Sequence, residues 1–280
     1  MKRVQITGIV VAVLVVMSPN VGLGQGADPI FAEFTPERFS NPTTISNKLF
    51  PLTPGTLLAS EGKAKDVEGD EETRRIEFTT TGLTKQIGDI NTVVVYINDY
   101  ADGELVESEL AFFAQDNDGN VWFFGEYPEE YEDGKFLGAP AWIHGVQEAK
   151  AGLFIEANPT VGGASYYQGW APAVEWNDFS KVVEIGKEDC VSVGCYKDVV
   201  VIEEGSLGEV GAFQIKSYAP EIGNIRTGWR GEDATQEELE LREFVNLDAD
   251  ALAAVNAKAL ELEKHAYEIS DVYKQTLPAK

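Results

Sequence analysis

The chain has 280 residues, 44% of them hydrophobic, and sets 47 acidic side chains against 22 basic ones for a formal charge of −25. The hydrophobic share is ordinary for a globular protein and excludes wholesale disorder, and the length suits one large domain or two. So negative a surface repels nucleic acid and anionic lipid, and neither is expected as a partner.

Lys2 and Arg3 precede an unbroken apolar run from Gly8 to Met17. A run of about ten residues matches the core of a secretory signal and is too short to span a bilayer. Pro19 and Asn20 end it, and Gly22-Leu23-Gly24 or Gly24-Gln25-Gly26 offers the small residues of a cleavage site. Residues 1–26 are therefore expected to be a cleavable signal peptide, and the mature chain a secreted or periplasmic protein. No Cys stands near the cleavage region, so no lipobox is expected. No later stretch is apolar for long enough to insert in a membrane once the signal is removed.

Residues 27–50 read as an extended leader, with Pro42, Pro51 and Pro54 disfavouring helix. The segment 51–247 reads as a β domain. Ile76, Phe78 and Thr80 alternate with polar neighbours, and Thr92 to Ile97 is a run suited to a strand buried on both faces. Leu105 to Gln115 and Val121 to Phe124 flank Asp116-Asn117-Asp118-Gly119-Asn120, a strong hairpin signal. The acidic stretch Glu126 to Asp133 reads as an exposed loop, and 134–180 shows little periodicity. Strands are expected again at 182–186, 198–203, 212–218, 222–230 and 237–247. Within 212–218, Phe213, Ile215 and Ser217 share one face and Gln214, Lys216 and Tyr218 the other.

Residues 248–280 change period. Asp248 is placed to cap a helix running to about residue 275. Leu252, Val255, Ala259, Leu262, Ala266, Ile269 and Tyr273 form a narrow apolar stripe suited to docking on a sheet. The expected fold is mainly β: a strongly curved antiparallel sheet or barrel, lipocalin-like or lipoprotein-carrier-like, closed by a long C-terminal helix.

Several phrases carry a resemblance: Pro54-Gly55-Thr56, Asp102-Gly103-Glu104-Leu105-Val106-Glu107, Phe113-Ala114-Gln115-Asp116 and Gly119-Asn120-Val121-Trp122-Phe123-Phe124-Gly125-Glu126. Together with Tyr218-Ala219-Pro220, Gly223 and Arg226 they resemble a family of secreted bacterial proteins of unknown function, over most of 45–247. The resemblance implies export and one β-rich domain. It implies no activity, cofactor or site residue.

Cys190 and Cys195 flank four residues including Gly194, as two strand ends across a tight turn would, and export makes a disulfide the expected state. The 116–120 segment lacks the Gly and Glu positions of a calcium loop, so no metal site and no cofactor is expected. His144 is the only histidine outside the terminal helix, and any histidine acid–base chemistry would use it. His265 falls off the helix stripe and is expected to be solvated. The aromatic cluster around Tyr166, Tyr167 and Trp170, with Trp142, His144, Tyr218 and Arg226, supplies the candidate ligand-binding residues. The leading expectation is a protein that carries a small apolar or aromatic ligand inside the curved sheet. The alternatives are a secreted lyase, isomerase or glycan hydrolase using His144, Tyr166 and Glu175, and a structural envelope protein. No nucleophile elbow, metalloprotease helix motif or phosphate loop is present in the sequence.

Overall fold

A computed structural model describes residues 28–280, and the expected signal peptide lies outside the described residues. In chain order the strands are β1 (Thr56–Lys65), β2 (Glu71–Ile87), β3 (Ile90–Ala101), β4 (Glu104–Gln115), β5 (Val121–Glu132), β6 (Lys135–Gly138), β7 (Trp142–Ile143) and β8 (Lys150–Ile155). They continue as β9 (Tyr166–Tyr167), β10 (Gly169–Trp170), β11 (Phe179–Val191), β12 (Gly194–Gly205), β13 (Ala212–Ala219), β14 (Gly223–Gly231) and β15 (Glu238–Asn246), followed by the helix α1 (Ala249–Ile269).

The strands form one antiparallel sheet in the order β10-β8-β5-β4-β3-β2-β1-β15-β14-β13-β12-β11-β9, with β6 and β7 on the edge of β5. The expected mainly-β class and curvature hold. The ladder is not hydrogen-bonded into a ring. Its two ends, β9 and β10, are nevertheless consecutive in the chain and separated by Gln168 alone. One short segment thus pairs with β11 through Tyr166–Tyr167 and with β8 through Gly169–Trp170. Gly152 makes this closure possible: a Cβ there would lie 2.4 Å from the backbone of Gln168 and Gly169.

Two apolar layers sit on opposite faces of β3 to β5, as alternation requires. The outer layer contains Val94, Leu110, Phe112, Trp122 and Phe124, and it receives Ala259, Leu262 and Ala266 of α1 together with Tyr273. The helix therefore covers the outer face of the sheet and does not complete its curve. The inner layer contains Val93, Val95, Phe113, Phe123 and Trp142 from one half of the sheet and Val182, Val200, Ile202 and Tyr218 from the other. These residues meet only because the sheet curls round a lumen. Ile45, Leu49, Phe50 and Leu52 of the leader fill one end of that lumen, with Phe50 against Phe78, Phe113 and Phe154.

Local expectations fare unevenly. Thr92 to Val95 is buried throughout. The 116–120 turn joins β4 to β5, and Asp116 accepts the backbone N–H groups of Asp118 and Asn120 at 2.9 Å and the Trp122 Nε1–H at 3.0 Å. Asp248 caps α1, accepting the Ala251 N–H at 2.9 Å, and Cys190 and Cys195 form a disulfide across the β11–β12 turn.

Three expectations are corrected. The leader includes a short 3-10 turn, Pro36–Arg38. The helix stops at Ile269, which is 42% exposed, and Tyr273 reaches the core from a separate 3-10 turn. Glu126 to Glu132 is strand, because β5 runs on through a bulge opposite Phe112 and Phe113. Gly125, with φ +137°, permits that bulge, and a Cβ there would stand 2.3 Å from the Trp142 carbonyl oxygen of β7. His265 keeps a side chain 40% exposed, as expected, and bonds by Nδ1 to the buried Glu129 carboxylate at 2.6 Å, which also accepts the Tyr127 hydroxyl at 2.6 Å.

Candidate functional site

Cross-strand partners share a face, so register carries the inner surface round the sheet. On one wall the pairs Ile76 with Asp99, Asp99 with Glu107, Ile97 with Glu109 and Ala111 with Glu126 place three glutamates and an aspartate on the lumen face. On the other wall Tyr166 pairs with Ser180, Ser180 with Glu204 and Ile202 with Lys216. Asp178 and Glu237 join them at the strand ends. The lumen therefore has an apolar end, filled by side chains, and a polar end that is strongly negative.

Two fixed cations enter the polar end, and each is already taken. Arg74 pairs with Asp99 and donates to Glu72 at 2.9 Å. The Lys216 ammonium stands 2.5 Å from Glu204, which also accepts the Gln168 amide at 3.1 Å. Glu107, Glu109, Glu126 and Asp178 are left without a contacting cation, yet each keeps some access to solvent. Glu109 and Glu126 are diagonal neighbours across β4 and β5, and Trp142 Nε1–H donates to Glu126 at 3.1 Å.

Proton affinities follow. Burial, and then the neighbouring acids Glu107 and Asp178, push Glu126 up to about 8. Burial, with Asp99 and Glu130, pushes Glu107 up to about 7. Glu109 is held well above the usual range by burial and Glu126. Asp178 rises to about 7 through burial and Glu204, and Glu237 to about 7 through burial and Asp99. The two walls face one another, since Val93, Val95, Phe113 and Phe123 share one cluster with Val182, Val200, Ile202 and Tyr218. Among the described residues, four polar atoms are buried without a partner: Arg74 Nε, Asp99 Oδ1, Tyr166 OH and Ser180 Oγ. Asp99 and Ser180 face the lumen by register, and the Tyr166 ring packs with the outer layer.

The sequence candidates divide between the two faces. Trp142 and Tyr218 reach the lumen, where Trp142 packs on Trp176 at 4.9 Å, whereas Tyr166, paired with Ser180, packs its ring with the outer layer. Tyr167 and Trp170 lie outside, gathered round Phe31 of the leader at 4.4 and 6.1 Å. Arg226 also lies outside, beside the disulfide, held by Asp189 at 3.3 Å and the Cys190 carbonyl at 2.8 Å. Glu175 is exposed at the end of a 3-10 turn. His144 sits among Phe34 and Phe124 of the outer layer, where its Nδ1 accepts the Ala151 N–H at 3.0 Å. Burial lowers its proton affinity, so the ring is neutral. It borders a hollow of about 170 Å³ with Gln86, Ile143 and Thr276, on the other side of the sheet from the lumen. His144, Tyr166 and Glu175 thus share no cleft, because the short β7 turns its chain end toward the outer core.

The carboxyls of Asp99, Glu107, Glu109, Glu126 and Asp178 were not among the candidates. Their signal was present in the alternation of Glu107 and Glu109 with Val106, Ser108 and Leu110, but alternation does not say which face is inside. Among the described residues, no group of three or more His, Cys, Asp or Glu side chains is disposed to hold a metal ion, and no helix is long and apolar enough to cross a membrane.

No family model matches the chain, and no curated protein does. Among solved structures, it is similar to a candidate exported protein with a YmcC-like fold from Bacteroides fragilis, at a TM-score of 0.43, and to a candidate lipoprotein from Parabacteroides distasonis, at 0.41. Each is 12% identical, and each alignment covers 71% of this chain and 99% of the other.

Proposed function

We propose that the chain is an exported protein that binds a small molecule in the polar end of its lumen. Export is supported by the apolar run Gly8–Met17 behind Lys2 and Arg3 and by the Cys190–Cys195 disulfide, a bond that persists in oxidising compartments. The observation that carries ligand binding is the unfinished state of the polar end. Glu107, Glu109, Glu126 and Asp178 line that end and keep some solvent access, with no contacting cation among the described residues, and such uncompensated acids support a position that another molecule would balance. The apolar ligand suggested by composition is displaced by Phe50, Phe78, Phe113 and Phe154, which already fill the apolar end.

Native mass spectrometry of protein purified from its own source tests this. The expected result is a stoichiometric adduct of small mass that is lost on denaturation. Uniformly empty protein, in which hydrogen exchange shows the β4 and β5 backbone unaffected by any extract fraction, would overturn it and favour a structural envelope role.

A further inference from the structure

We infer that the disulfide-closed tip of the β11–β12 hairpin is a latch on a lateral seam of the sheet, between β14 and β15, and that reduction of Cys190–Cys195 by a dithiol releases it.

The sheet is thinnest at that seam. β15 pairs with β1 from Glu238 to Asn246, and β14 pairs with β13 from Gly223 to Gly231, each along its whole length. Between themselves β14 and β15 pair at Arg226–Glu240 and Thr227–Leu239 alone. Past Leu241, the residues of β15 from Arg242 to Asn246 are exposed. Thr227 also pairs with Lys216, so the seam gives onto the polar end of the lumen.

The hairpin leaves the sheet to reach this place. β12 pairs with β13 from Val200 to Glu204, and toward the tip it is paired with β11 alone. Register shifts between Val182 and Glu184, Ile185 and Lys187, and Lys187 and Asp189, with Gly186 at φ +83°, bend it over. At the tip, Ser192 Oγ donates to the Leu241 carbonyl of β15 at 3.0 Å. From the other lip, Arg226 of β14 donates to the Cys190 carbonyl at 2.8 Å and pairs with Asp189 at 3.3 Å. The same guanidinium stands 3.6 Å from Glu240 of β15. Beneath these bonds Val191 and Tyr196 pack on Val199, Ala219, Ile225 and Leu241, a cluster separate from both main layers. The tip thus holds both lips of a seam that hold little of each other.

The disulfide sets the latch, because Asp189, Cys190 and Ser192, which make the fastening bonds, lie at or inside the loop that it closes. Both cysteines are exposed, so a dithiol can reach them. Its thiolate attacks one sulfur and the S–S bond breaks; its second thiol then displaces the mixed disulfide. Two electrons and two protons pass to Cys190 and Cys195, which end as thiols, and the reductant ends as its own disulfide. The tip then regains the freedom that loop closure withheld.

Hydrogen exchange of the whole chain, read by mass spectrometry with and without dithiothreitol, is the test. Reduction should speed exchange in peptides covering Gly223–Thr227 and Leu239–Arg242 at least about tenfold and leave β3 and β4 within about twofold. Reoxidation should restore the slow exchange. Cys190→Ser with Cys195→Ser should behave as the reduced protein without reductant, and Arg226→Ala should loosen the same two segments with the disulfide intact. Unchanged exchange at the seam on reduction would overturn the proposal. Equal acceleration in β3 and β4 would overturn it too, since the disulfide would then be a general staple of the fold.

Discussion

Among the described residues, two enclosed groups of ionisable side chains, one under the helix and one in the lumen, are built on opposite plans. Under the helix, Lys85 is completely buried and spends its three donors on Glu263 at 2.8 Å, Tyr267 at 3.1 Å and the Leu277 carbonyl at 2.7 Å. Glu263 also accepts the Tyr273 hydroxyl at 3.0 Å and the Ala279 N–H at 3.1 Å. The ring of Tyr273 lies 4.2 Å from the ammonium. Burial opposes charging Lys85 and lowers its proton affinity, with Glu263 acting against that. Every polar group there has a partner within the chain, as a structural clamp requires. In the lumen, carboxyls face carboxyls, the cations are too few, and buried oxygens go unpaired. The first arrangement holds the helix on the sheet. The second weakens the fold.

The comparison can be broken most forcefully at the clamp. Lys85→Ala leaves Glu263 buried without its cation and should cost about 3–5 kcal/mol in denaturant unfolding, whereas replacing both partners by apolar residues should cost far less. Leu262→Ala, in the same layer, should cost about 2–5 kcal/mol, and Leu262→Asp more, because it buries an unpaired charge.

The lumen should respond with the opposite sign. Its acids bind protons more tightly folded than unfolded, so their contribution to stability is complete below the ordinary carboxylate range. It is lost as pH rises through about 7 to 8, where Glu107, Asp178, Glu237 and Glu126 give up their protons. Between about pH 5 and pH 8.5 unfolding free energy should fall by on the order of 1–3 kcal/mol, after allowing for solvent access. Glu126→Gln should flatten that slope and raise the melting temperature at the alkaline end. A protein that is most stable at pH 8 would contradict this. The smallest effect belongs to Glu261→Ala on the exposed side of the helix, which should stay within about 0.5 kcal/mol in the same melts.

What could be read in the sequence was local. The 116–120 hairpin, the Asp248 cap and the Cys190–Cys195 turn each depend on a few adjacent residues with one conformational solution. The two faces of 212–218 were also legible, but not their direction. Gln214, Lys216 and Tyr218 point into the lumen and Phe213 and Ile215 away from it, the reverse of the usual rule that apolar faces inward. A sheet that curls round a polar lumen makes that rule ambiguous, and only the pairing of distant strands resolves it. The same ambiguity made Glu126 to Asp133 read as a solvated loop. Charge density normally means exposure, yet here β5 continues and its acids line a wall. His144 misled for a different reason. Its rarity in the sequence drew notice, and packing against Phe34 and Phe124 shows a neutral ring in a core.

The distinction between the two enclosed groups is tested most directly by carbon-13 titration of the glutamate side-chain carboxyls, assigned through Glu109→Gln and Glu126→Gln. The account predicts that the Glu109–Glu126 pair titrates in two macroscopic steps, both well above the ordinary carboxylate range, with a Glu107 signal near 7. Glutamates that all titrate below about pH 5 would contradict it, since lumen carboxyls that charge that easily are already balanced within the chain.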